Sequence, residues 1–85
     1  MYWKNEKAKR VQTEANVLQY YKDSERLAVS LPSWTDDKGQ LKFGKTVTIN
    51  IEALLESDSL VMIDAKAIFQ DIANKLADRI ELVAN

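Results

Sequence analysis

Eight consecutive residues, Gly39-Gln40-Leu41-Lys42-Phe43-Gly44-Lys45-Thr46, match the phosphate-loop pattern G-x-x-x-x-G-K-[ST] letter for letter. The chemistry of that loop is a cradle. It leaves a strand and opens a helix, so that backbone N–H groups and the helix N-terminus surround a phosphate. The residues after Lys45 deny that context. Thr46-Val47-Thr48-Ile49 alternates polar and apolar residues, the period of a strand rather than a helix. No second acidic strand is available for Mg²⁺, and 85 residues are too few for a nucleotide-hydrolysing core. The neighbouring Asp36-Asp37 lacks the spaced oxygens and distal glutamate of a calcium loop, and reads as a solvent-exposed hairpin turn.

The same stretch has a second chemistry. Trp34, Lys38, Lys42, Phe43 and Lys45 interleave rings with cations. Unstacked bases lie on aromatic faces while ammonium groups neutralise the phosphate backbone, a combination suited to a single strand rather than a duplex. The plainer account is that Trp34 and Phe43 face each other across the hairpin and staple it. On composition alone the staple is the better account.

The run from Trp34 to Lys45 resembles the hairpin of the positive cofactor 4 (transcriptional coactivator) family and its bacterial and phage relatives. Those domains carry Trp, then Asp two residues on, then Gly, Lys, Gly and a basic residue at similar spacing, followed by an alternating strand and an amphipathic helix. Here Trp34, Asp36, Gly39, Lys42, Gly44 and Lys45 occupy the hairpin, and Val47-Thr48-Ile49 and the segments from Asn50 come after it. The resemblance centres on residues 34–49. It implies a curved antiparallel sheet packed by a C-terminal helix, working as a homodimer on single-stranded DNA. Carried over by position, the implied contacts are Trp34, Lys42 and Lys45, with Lys38 and Phe43 as neighbours. This chain departs from the pattern in several places. The strand after Lys45 is one residue short. Leu27, Val29 and Leu31 are one residue out of phase, which calls for a bulge near Pro32. The helical region is longer and is broken at Ser57–Ser59.

What the sequence lacks narrows the function further. It contains no histidine and no cysteine, so the usual general base, thiolate nucleophiles, thiolate metal sites and disulfides are all missing. The expectation is a protein that binds rather than catalyses, with no cofactor and no metal. No apolar run approaches the length of a membrane span, and the N-terminus lacks a signal-peptide core. By absence of any address, a cytoplasmic location is expected.

Net charge is −1, but it is unevenly placed. Residues 1–49 carry nine basic and six acidic side chains, and residues 50–85 carry three and seven. The N-terminal part is the one suited to phosphates. The acidic C-terminal segment, with Glu52, Glu56, Asp58, Asp71, Asp78 and Glu81, supplies an alternative. It would be the contact face of a protein-interaction module, such as a phage- or plasmid-borne inhibitor.

Periodicity supplies the scaffold for these residues. Val11, Thr13, Ala15 and Val17 alternate with Gln12, Glu14 and Asn16, predicting a strand within residues 10–21. Ala8, Val11, Ala15 and Leu18 also share a helical face, but β-branched residues and tyrosines favour the strand. Lys22–Glu25 reads as a turn, and residues 26–31 as a second strand ended by Pro32. Asp36–Gly39 is a tight turn, and residues 40–51 form a third strand with Val47, Ile49 and Ile51 on one face. Asn50 is placed to cap a short helix, and Ser57-Asp58-Ser59 breaks it and caps the next. From about Leu60 to Val83, Ala65, Ile68, Phe69, Ile72, Leu76, Ile80 and Val83 form one stripe. The expectation is a single α+β domain: an antiparallel meander over residues 10–51 packed by the helical region 52–85, and a dimer. Residues 1–9 are a flexible basic arm or a frayed tail.

Overall fold

A computed structural model describes residues 1–84. The architecture is α+β, an antiparallel sheet of four strands with a long C-terminal helix. The chain forms two compact units, Met1–Glu52 and Ala53–Asn85.

The first unit opens with a helical turn, α1 (Tyr2–Asn5). Six strands come next: β1 (Lys9–Gln12), β2 (Val17–Tyr21), β3 (Arg26–Ser30), β4 (Trp34–Thr35), β5 (Leu41–Lys42) and β6 (Thr46–Asn50). The four longer strands make one antiparallel sheet in the order β1-β2-β3-β6. The pair β4-β5 is a separate two-stranded ribbon. Two expected strands are thereby corrected. Residues 10–21 are β structure, but they hold a hairpin rather than one strand. The Thr13 hydroxyl accepts from the N–H groups of Ala15 and Asn16, at 3.1 Å each. That side-chain turn competes with a continuing ladder and reverses the chain. Residues 40–51 are also not one strand, since Gly44 separates the ribbon from β6 and Ile51 already belongs to a helix.

Register fixes what each face of the sheet carries. Arg10 lies opposite Gln19, Gln19 opposite Ala28, and Ala28 opposite Thr48. Gln12, Val17, Ser30 and Thr46 form the adjoining row. Because side chains alternate across a strand, these residues share one face, and it is largely polar. The opposite face carries Val11, Leu18, Tyr20, Leu27, Val29, Val47 and Ile49, with Lys9 at its edge. The buried residues of the first unit, Val17, Tyr21 and Ala28, all belong to the polar face. The Tyr2 ring covers Tyr21 edge-on, with centroids 4.9 Å apart. The apolar face stays accessible, with Val47 69% exposed.

The N-terminal nine residues, expected as a flexible arm, carry structure. Besides α1 and the start of β1, Glu6 ties this segment to the turn at residues 22–25. Its carboxylate accepts from the N–H groups of Asp23 (2.7 Å) and Ser24 (3.0 Å) and from the Ser24 hydroxyl (2.6 Å). The Ser24 hydroxyl chiefly holds the carboxyl below its ordinary pKa; desolvation, the next largest effect, opposes it, and the two N–H groups add smaller lowering effects. Glu25 completes the turn in the left-handed region at φ 56°.

Helix α2 (Ile51–Leu55) continues directly from β6, and α3 (Ser59–Ala84) fills most of the second unit. Asp58 caps α3, accepting from the Val61 N–H at 3.0 Å, as the Ser57–Ser59 break suggested. Lys75 and Asp71 form an i,i+4 pair at 2.8 Å. No α3 residue is buried, and Ile68, Phe69, Ile72, Leu76 and Ile80 are exposed along one stripe. Among the described residues no helix is long and apolar enough to cross a membrane.

Candidate nucleic-acid interface

The ribbon is built around Asp36. One carboxylate oxygen accepts from the N–H groups of Lys38 (2.9 Å) and Gln40 (2.8 Å). The Asp36 N–H donates to the Gln40 carbonyl, and the Gly39 N–H to the Asp36 carbonyl, both at 3.0 Å. Gly39 takes φ +79°, where a side chain would be strained. The turn is thus closed by its own backbone and one aspartate, with no call on the rings beside it.

Trp34 pairs with Lys42, and Thr35 with Leu41. The staple between Trp34 and Phe43 is therefore not formed, because register places a lysine rather than a ring opposite the indole. Trp34 is 57% exposed and Phe43 82%, and among the described residues neither makes a ring contact. Lys38, Lys42 and Lys45 all reach solvent. The Lys42 ammonium lies 3.9 Å from the second Asp36 oxygen, a long, half-exposed pair of little energetic weight. Among the described residues, Lys38 and Lys45 have no ion-pair partner. All five predicted residues sit on or beside one ribbon. Trp34 and Lys42 share a face, and Phe43 and Lys45 flank the exit toward β6.

Gly44 has a structural role that the phosphate-loop pattern obscured. A Cβ there would fall 2.0 Å from the Leu31 carbonyl oxygen and 2.6 Å from its carbon. Only glycine lets the chain leave the ribbon this close to the end of β3, where the Leu31 N–H donates to the Lys45 carbonyl at 3.0 Å. Thr46 then opens a strand, and its hydroxyl lies 2.9 Å from that of Ser30.

Beside this joint runs a groove of about 300 Å³, lined by Arg10, Gln19, Ser30, Phe43 and Thr46 among others. Phe43 belongs to both the ribbon and the groove. Arg10, Gln19 and Ser30 do not stand out in the sequence. Their signal is present in the alternation of β1 and β2, but it is hidden while residues 10–21 are taken as one strand. A single strand would leave Arg10 at an edge with nothing facing it. The hairpin at residues 13–16 is what sets Arg10 opposite Gln19.

No family model matches this chain, and no curated protein and no solved structure matches it either.

Proposed function

We propose that this protein is a non-enzymatic module that binds single-stranded nucleic acid through the β4-β5 ribbon, in a transcription, replication or mobile-element system. Trp34 and Phe43 stack bases, and Lys38, Lys42 and Lys45 contact phosphates. One observation carries the reading. Two large rings stand exposed among three lysines on a turn whose closure uses neither rings nor lysine side chains. Leaving an indole and a phenyl in water forgoes the roughly 1.5–3 kcal/mol that burying such a side chain would contribute. Base stacking recovers energy of the same order, about 1–3 kcal/mol per base. The reading agrees with the resemblance of residues 34–49 to the positive cofactor 4 family.

The same reading includes a homodimer. The first unit leaves the Val11–Leu18–Val29–Val47 face accessible, and the second leaves the stripe of α3 accessible. Their charges are opposite, with nine basic and seven acidic side chains up to Glu52, and three basic and six acidic ones from Ala53 onward. A second copy supplies an apolar helix for the sheet face and a complementary charge at once. It also compensates for a core too small to stabilise a lone chain well.

The test is fluorescence anisotropy with short oligothymidine, run on material whose mass is fixed by sedimentation. The native chain is expected to sediment as a dimer and bind. Three neutralised phosphates give a log–log salt slope of about −2. Trp34→Ala combined with Lys42→Glu keeps the melting temperature and abolishes binding. Unchanged affinity in that variant removes the ribbon from consideration. No affinity at low salt, with a protein co-purifying instead, favours the acidic face of Glu52, Glu56, Asp58, Asp71, Asp78 and Glu81.

A further inference from the structure

We infer that the N-terminal segment holds a second base-stacking platform, centred on Trp3, and that a single strand runs to it from the ribbon through the groove on the polar face of the sheet. This rests on the single-strand reading above and extends the site it assigns. Trp3 is 51% exposed and meets the Tyr2 ring in a T-shaped contact, with centroids 4.9 Å apart and planes at 86°. In either sense of that contact, at least one indole face is left clear of the tyrosine. Tyr2 in turn lies edge-on to the buried Tyr21. Among the described residues the Tyr21 ring meets Tyr2 and not Trp3, so covering the sheet does not account for the indole. The segment that carries it is held in place by Glu6, through its three hydrogen bonds to Asp23 and Ser24. Glu6 is also the only acidic residue among the first thirteen, against Lys4, Lys7, Lys9 and Arg10. Its carboxylate is engaged by backbone and hydroxyl donors, and among the described residues none of those four cations has an ion-pair partner.

A run of contacts joins this platform to the ribbon. Val17, Gln19 and Tyr21 occupy alternate positions of β2 and so share the polar face. The Tyr21 hydroxyl lies 3.5 Å from the Gln19 amide oxygen. Gln19 and Arg10 line the groove of about 300 Å³, and Phe43 of the ribbon lines it too. From Val17 to Tyr21 the strand advances about 14 Å, a span of a few nucleotides. The lining does not favour one base edge. Arg10 donates only, but Gln19 and the hydroxyls of Ser30, Ser33 and Thr46 can both donate and accept. Such a passage tolerates any base, as binding by stacking requires.

The test is fluorescence anisotropy with oligothymidines of about 4 and about 12 nucleotides, which span much of the range of single-strand site sizes. The short oligomer is accommodated by the ribbon alone, and the long one reaches Trp3. Trp3→Ala is expected to weaken the long oligomer roughly tenfold, the loss of one stacked base, and to leave the short one unchanged. Trp3→Phe is expected to restore most of the long-oligomer affinity. A second measurement does not depend on altering Trp3. Trp34→Phe leaves Trp3 as the sole indole, and at saturation its fluorescence is expected to be quenched by the long oligomer and not by the short one. Unchanged long-oligomer affinity in Trp3→Ala, equal losses at both lengths, or an indole in Trp34→Phe that does not respond to the bound long oligomer overturns the inference and leaves the ribbon standing. Failure of both oligomers to bind the native chain overturns the ribbon reading itself, and the platform with it.

Discussion

The four-stranded sheet and the two-stranded ribbon are the same kind of antiparallel structure cut from adjoining stretches of chain, yet their side chains are spent differently. The sheet buries Val17, Tyr21 and Ala28 and packs Tyr2 edge-on against Tyr21. The ribbon buries none of its four strand residues, and Trp34, Leu41 and Phe43 all stand in solvent. A pair of two-residue strands has too little face to hold itself by packing, so its order comes from the turn and from its attachment. Each structure also has one carboxylate that gathers backbone N–H groups. In the sheet it is Glu6, reaching a turn 17 residues away. In the ribbon it is Asp36, serving its own turn. The sheet is stabilised by contacts distant in sequence and the ribbon by local ones, which leaves the ribbon's rings available for a ligand.

The largest effect is expected where the two structures join. Gly44→Ala places a carbon against the backbone of Leu31, which cannot rotate away as a side chain would. The ladder end at Leu31 and Lys45 must open, at a cost on the order of 3 kcal/mol. Urea denaturation is expected to show a clearly lower midpoint. An unchanged midpoint would mean that the ribbon leaves the sheet by another path.

That joint also marks where the sequence ceases to be legible. Alternation identifies the strand character of Val17–Tyr21, Arg26–Ser30 and Thr46–Asn50, and the 3.6-residue stripe identifies α3, because these patterns are properties of local periodicity. The turn at Asp36–Gly39 is legible for the same reason, since aspartate and glycine act within four residues. Thr13 does not announce a reversal, because a threonine inside an alternating run is also a good strand residue. Gly44 looks like part of a motif, because the carbonyl that demands glycine there lies on Leu31, thirteen positions earlier. Of the candidate site, the ribbon residues emerge from composition and spacing. Arg10 and Gln19 require the register between β1 and β2, which depends on the turn at Thr13.

A smaller effect separates the ribbon from the sheet. Asp36→Ala removes the acceptor for two N–H groups in an exposed turn, worth about 1 kcal/mol locally. Because the ribbon shares no buried core with the sheet, that loss is expected as local opening rather than global unfolding. Hydrogen exchange should speed up at Lys38 and Gln40 while Leu18, Ala28 and Ile49, whose N–H groups face neighbouring strands, keep their protection. Oligothymidine affinity should fall although Lys42 gains freedom, because Trp34 and Lys42 no longer share a fixed face. Accelerated exchange throughout β2 and β3 would show the two structures to be one cooperative unit.

The smallest effect belongs to Glu6 and is distinguished by its pH dependence. Its carboxyl is held below the ordinary pKa chiefly by the Ser24 hydroxyl, so the folded state favours the ionised form more than the unfolded chain does. A group depressed in this way contributes stability above its unfolded pKa, and that contribution disappears as pH falls through the folded value. Glu6→Gln keeps the shape and removes the charge. It is expected to lower the melting temperature slightly at neutral pH and to converge with the native chain in acid, below the range where an ordinary glutamate titrates. Asp36→Ala need not converge in this way, since its loss is the turn itself. If the Glu6→Gln difference instead stays constant from neutral pH into acid, the Ser24 hydroxyl and the two N–H groups are held equally well by a neutral acceptor. The N-terminal segment would then be fastened to the sheet by Tyr2 on Tyr21 rather than by charge.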